Sequence, residues 1–201
     1  INMAGSDVLV TAISDEVAAD GDFIVVAARP NTVATLANTS FASGGARLLA
    51  VTTAGTSDNG KTNTIVGTDV FDNVISEVIT STGSAEAVNG TKYFKTVTSV
   101  TSSAQFAGNI TVGSIAGAAQ AGFGGRVRLR GYSNVSGGTA GLVQFYNGTP
   151  ESGSLVFTAR TIGTDNTTVD NTIPDEGILF KDGLSVLYTV AVIDRMNIFY
   201  A

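Results

Sequence analysis

Gly67-Thr-Asp-Val-Phe-Asp-Asn-Val-Ile-Ser-Glu-Val-Ile-Thr80, continued by Thr91-Lys-Tyr-Phe-Lys-Thr-Val-Thr-Ser-Val-Thr101, decides the fold class of this chain. β-branched and aromatic residues dominate both pieces, and such residues fit a pleated, half-buried surface. Phe71-Asp-Asn73 lies between Ile65-Val66 and Val74-Ile75, which predicts a hairpin loop. Gly67 and Asn73 are expected to supply its unusual backbone angles. Ser76, Val78 and Thr80 alternate with Glu77 and Ile79, so one face packs and the other stays wet. The alternation then breaks between Lys92-Tyr-Phe-Lys-Thr-Val97 and Thr98-Ser-Val-Thr101. Two strands with a kink or bulge near Thr96 to Thr98 are predicted, which places the stretch inside a sandwich rather than in a lone ribbon.

The rest of the chain reads the same way. Short apolar runs at Asp7–Ile13, Phe23–Ala28, Arg47–Thr53, Asn109–Gly113, Gly141–Tyr146 and Ser154–Ala159 are separated by Gly, Asn and Asp clusters. Asp20-Gly21-Asp22 predicts a turn joining the first two runs. Asp15, Glu16, Asp20 and Asp22 lack the spacing of a calcium loop and read as a solvated turn. Asp182-Gly183 between Gly177–Phe180 and Leu184–Val190 predicts a hairpin. Met196–Tyr200 reads as a terminal strand paired into a sheet. Ser114–Gly125 is uncharged and rich in small residues, the best candidate for a linker.

The fold expected is all-β, with two β-sandwich-like (Ig-like or jelly-roll-like) domains and a short N-terminal β arm. The first domain with its arm would be residues 1–118 and the second 119–201.

Composition narrows the chemistry. The 201 residues include no His and no Cys. That removes a histidine general base, a cysteine nucleophile, zinc sites with nitrogen or sulfur ligands, and disulfides. The formal net charge of −6 argues against a nucleic-acid surface, which needs clustered Lys and Arg. No window reaches the length of a membrane helix, and Ile1–Asp7 lacks the features of a signal peptide. With 43% hydrophobic residues there is material for a core. No Gly-x-Ser-x-Gly elbow or phosphate-cradling loop occurs. Adjacent Asp175 and Glu176 point apart in a loop, and Trp is absent, so glycosidase chemistry is not expected. No enzyme activity, cofactor or small-molecule substrate follows from the residues.

Two constellations stand out. Arg126-Val-Arg-Leu-Arg130 alternates strictly, with Arg126, Arg128 and Arg130 on one side and Val127 and Leu129 on the other. It reads either as a solvated or edge strand, charge on an edge blocking unwanted pairing, or as a contact for an acidic partner surface. Asp165, Asp170, Asp175 and Glu176 could gather around an oxygen-ligated cation, although their spacing fits no calcium loop.

Arg47-Leu-Leu-Ala-Val-Thr-Thr-Ala-Gly-Thr-Ser-Asp58, Thr64–Asp69, Ser76–Thr80, Thr91–Val100 and Gly108-Asn-Ile-Thr-Val-Gly113 resemble a β module of virion structural proteins in tailed, especially marine, bacteriophages. Gly177-Ile-Leu-Phe-Lys-Asp-Gly-Leu-Ser-Val186 is similar to the C-terminal part of other small phage structural proteins, and the chain departs from single-domain versions in carrying both pieces. The resemblance implies a structural role in the virion, with no enzymatic residues to carry over. Head, neck and tail stay open. An acidic, Cys-free chain of this length suits a capsid decoration (cement) protein, a homo-oligomer with a trimer favoured, on the outer surface of the capsid against the major capsid protein. A neck or tail component (adaptor, tube or fibre base) and a carbohydrate-binding or host-receptor module are the alternatives. Neither nucleic acid nor membrane is expected as a partner.

Overall fold

The computed structural model describes residues 8–14, 23, 32–42, 44–83, 85–114, 121–149, 153–164, 166–189 and 191–201. The fold is all-β, in a β-sandwich-like arrangement of antiparallel sheets. The expected turn at Asp20-Gly21-Asp22, its acidic cluster, the run 24–28 and the core of the proposed linker, 115–120, lie outside the described residues.

In chain order the strands are β1 (Leu9–Ser14), β2 (Arg47–Thr53), β3 (Thr62–Thr68), β4 (Val74–Thr80), β5 (Ala87–Phe94), β6 (Thr96–Ser102), β7 (Ile110–Ser114) and β8 (Ala121–Phe123). They continue with β9 (Val127–Ser136), β10 (Leu142–Asn147), β11 (Ser154–Arg160), β12 (Thr168–Thr172), β13 (Ile178–Phe180), β14 (Leu184–Tyr188) and β15 (Ile193–Tyr200). The chain divides into two compact units, one holding β2–β7 and the other β1 with β8–β15.

The β2–β7 unit pairs two three-stranded sheets, β5-β2-β7 and β4-β3-β6. Leu49, Val51, Phe94 and Val112 from one sheet and Ile65, Ile79, Val97 and Val100 from the other share one apolar core, closed by Phe23, Phe41 and Phe106. Burying each such side chain contributes about 1.5–3 kcal/mol relative to leaving it in water. The β3–β4 hairpin forms as expected, but its backbone angles come from elsewhere. Asp72 takes φ 62°, while Asp69 Oδ1 accepts the amides of Phe71 and Asn73, each at 2.9 Å. Gly67 instead sits within β3, where a Cβ would stand 1.8 Å from the Thr96 carbonyl oxygen. Its role is close approach of two backbones, not a turn.

The predicted bulge is present. Val66 pairs with Ser99 and Gly67 with Val97, leaving Thr98 as the extra residue, and its hydroxyl donates to the Val66 carbonyl at 3.1 Å. The bulge turns both Val97 and Val100 inward. Just before it, the chain changes sheets: β5 pairs with β2, whereas β6 pairs with β3.

The second unit stacks β1-β15-β9-β12, with β13 also on β9, over β11-β10-β14-β8. Tyr132 and Phe145 (centroids 5.3 Å apart) and Phe123 and Tyr200 (4.5 Å) bridge the two sheets. Two expectations change here. Lys181-Asp-Gly183 is not a hairpin turn, because β13 pairs with β9 while β14 pairs with β10 and β8. The turn is a corner between sheets. Asn147 Oδ1 accepts the amides of Lys181 (2.6 Å) and Asp182 (3.0 Å), and Gly183 takes φ 106°. In addition, the division at 118/119 assigned the N-terminal arm to the first domain, but β1 pairs along its length with β15. The terminal strand Ile193–Tyr200 is accordingly an interior strand between β1 and β9.

Candidate functional site

The arginine stripe lies on β9 and the residue before it. Val127 and Leu129 are buried, and Arg128 and Arg130 project from the opposite, outer face of the five-stranded sheet. β9 is flanked on both sides, by β15 and by β12 and β13, so its arginines do not guard a sheet edge. The three charges have separate surroundings. Arg126 is exposed ahead of the strand. Arg128 meets Glu176, Nη2 to Oε2 at 3.2 Å, and donates Nη1 to the Glu176 carbonyl at 3.4 Å. The Glu176 side chain is 83% exposed, so the pair adds little stability.

Arg130 is different. Tyr200 pairs with Leu129 and Phe199 with Gly131, so Arg130 is the bulged residue on β9. Bulges re-aim side chains, and this one leads Arg130 into a cleft of about 560 Å³ across the outer sheet face. Asp170 of β12 and Asn197 and Phe199 of β15 line the same cleft. Register sets this arrangement: Asp170, Ser133 and Asn197 form one cross-strand row, and Thr172, Gly131 and Phe199 form the next.

The acidic constellation does not assemble as a set. Asp170 faces the cleft, Asp175 occupies a turn at φ 58°, Glu176 pairs with Arg128, and Asp165 lies outside the described residues. Among the described residues there is no group of three or more acidic side chains placed to hold a metal ion. No helix among them is long and apolar enough to cross a membrane.

Sequence reasoning missed two polar positions. Asp58, in a single 3-10 turn at Thr56–Asp58, is fully buried. It accepts the amides of Ala107 (2.7 Å) and Gly108 (3.1 Å) and the Lys61 ammonium (2.7 Å). Burial alone would push its carboxyl up, but Lys61 and the two amides outweigh burial and hold the pKa below the usual 3.8. Glu77 of β4 caps the β5 bulge of the opposite sheet, accepting the Thr91 amide (2.7 Å), the Thr91 hydroxyl (2.9 Å) and the Lys92 amide (3.3 Å). Both are structural. Their only sequence signal was a lone acid in a turn and an acid on the nominally buried set of an alternating strand.

Comparison with known proteins returns no matching family, no matching curated protein and no matching solved structure.

Proposed function

We propose that this chain is a structural protein of a bacteriophage particle, a capsid decoration (cement) protein that bridges capsomers on the outer surface of the head. The resemblance at residues 47–113 supplies the virion context. The observation that carries the mechanism is the apolar exposure on three outermost strands. Val8 and Val10 at β1 are 53% and 58% exposed, Val74 and Val78 on β4 are 78% and 58% exposed, and Leu155 and Val156 project from β11. Monomers usually blunt such edges with Lys, Pro or a covering segment. Edges that keep apolar side chains suit strand addition or apolar contact with a neighbouring subunit.

On this reading the work is mechanical and involves no catalytic step. Subunits bind the assembled lattice and not its dissociated parts, so they stabilise the shell by mass action. Closed symmetry among the copies follows, a trimer being favoured, with the major capsid protein as the other partner.

Quantitative gel analysis of purified particles tests the assignment. A decoration protein is present at hundreds of copies, and particles lacking it lose heat resistance while keeping their tails. A ring or fibre-base protein is present at roughly 3 to 12 copies, as closed rings require, and its loss yields tail-less particles. That second outcome would move the protein to the neck or tail.

A further inference from the structure

A cleft opens on the outer face of the five-stranded sheet, over β9, β12 and β15, and reaches Val8 beside β1. It is concave and of a volume usual for small-ligand sites. Five polar side chains converge there: Arg130, Ser133, Asp170, Thr172 and Asn197. Among the described residues, none of them hydrogen-bonds or ion-pairs through its side chain with another residue. Phe199 supplies an apolar wall beside them.

We propose that this cleft binds a carboxylated sugar residue. Arg130 offers a planar fork of donors suited to a carboxylate. Asp170 and Asn197 stand in one cross-strand row with Ser133 between them, and neighbours in such a row lie about 5 Å apart. Asp170 and Asn197 are therefore about 10 Å apart, a span that takes one sugar ring with a hydrogen bond at either end. Asp170 accepts from hydroxyls, Asn197 both donates and accepts, and the hydroxyls of Ser133 and Thr172 do either. The Phe199 ring provides an electron-rich face for the ring's C–H groups.

The alternatives fit less well. A peptide recognised through its main chain needs a sheet edge; of the three strands here only β12 is one, whereas Arg130, Ser133, Asn197 and Phe199 stand on β9 and β15, whose backbone groups are engaged on both sides. A nucleic-acid strand needs several cations along a track, and among the described residues this cleft holds one, Arg130. A simple dicarboxylate would leave Asp170 facing like charge.

Titration of the full chain with D-glucuronate and N-acetylneuraminate, followed by amide chemical shifts, tests the proposal, with D-glucose and succinate as comparison ligands. The expected result is saturable binding of at least one acidic sugar, with shifts confined to β9, β12 and β15. Arg130→Gln should weaken it at least about tenfold, the loss expected for a charge-assisted hydrogen bond, and Asp170→Asn should weaken it too. Arg126→Gln, outside the cleft, should leave affinity unchanged. Unperturbed spectra of the free variants show that they fold. Absence of saturable binding by either acidic sugar, equal binding of D-glucose or succinate, or affinity untouched by Arg130→Gln would each overturn the proposal. The virion role stands or falls separately, on copy number.

Discussion

Asp58 is buried within its one-turn 3-10 helix and is held ionised by Lys61 and the amides of Ala107 and Gly108. Its lowered pKa has a direct consequence for acid stability. The folded value lies below the unfolded one, so the contribution is complete above the usual 3.8 and is lost as pH falls through the folded value. The melting temperature should therefore drop as pH is taken below about 4, and Asp58→Asn should flatten that dependence. Asp58→Ala should cost about 2–3 kcal/mol in denaturant unfolding, because the two amides lose their acceptor. Asn134 makes the opposite case. It is fully buried on β9, and both its Oδ1 and its Nδ2 lack a hydrogen-bond partner. Replacing an unsatisfied polar group by an apolar one of similar shape is neutral or favourable. Asn134→Leu should raise stability by up to about 1 kcal/mol; a clear loss would indicate that the amide is satisfied.

At the scale of elements, the informative places are those where a strand leaves its ladder. The β5 bulge sets Gly90, Thr91 and Lys92 against Leu49 alone, since Leu48 pairs with Tyr93 and Ala50 with Asn89. Glu77 closes this gap from the other sheet, and a Cβ at Gly90 would come within 2.5 Å of its carboxylate. Glu77→Ala should destabilise the β2–β7 unit by about 1–2 kcal/mol. Hydrogen exchange should quicken at the Thr91 and Lys92 amides while the Ile65 and Val100 amides stay protected; unchanged rates at Thr91 would show that the cap is idle. The Thr98 bulge was legible in the sequence because it breaks a period-2 pattern inside one strand. The corner at Lys181–Gly183 was not, because Asp-Gly between two apolar runs has the same local chemistry in a hairpin and in a sheet-to-sheet turn. What separates them is the Asn147 side chain, 34 residues away, reaching the Lys181 amide.

At the scale of the whole molecule, the unit built from β1 and β8–β15 depends on its terminal strand. β15 bonds β1 on one side and β9 on the other, and Arg128 and Ala201 exchange both backbone hydrogen bonds, at 2.8 and 2.9 Å. Ending the chain at Val192 removes an interior strand and leaves β1 without its partner. Exchange protection should then disappear from β1, β9 and β10 but persist in β2–β7. Loss throughout would mean the units are not separable, and persistence throughout would mean that β15 is dispensable.

The sequence by itself determined the all-β class, the β3–β4 hairpin, the bulge at Thr98, the inward set Val127 and Leu129, and the outward set Arg128 and Arg130. These are consequences of period-2 alternation and local turn chemistry, which act over a few residues. Only the tertiary structure decided which strands are neighbours. It placed β1 beside β15, divided the chain between β5 and β6 and again between β13 and β14, and brought Arg130 to the same cleft as Asp170, 40 residues further along. Hydrogen-bond ladders are indifferent to sequence separation, and an edge strand accepts any partner of matching register and face. The choice among partners rests on how both sheets close over a common core, which no single stretch of the chain encodes.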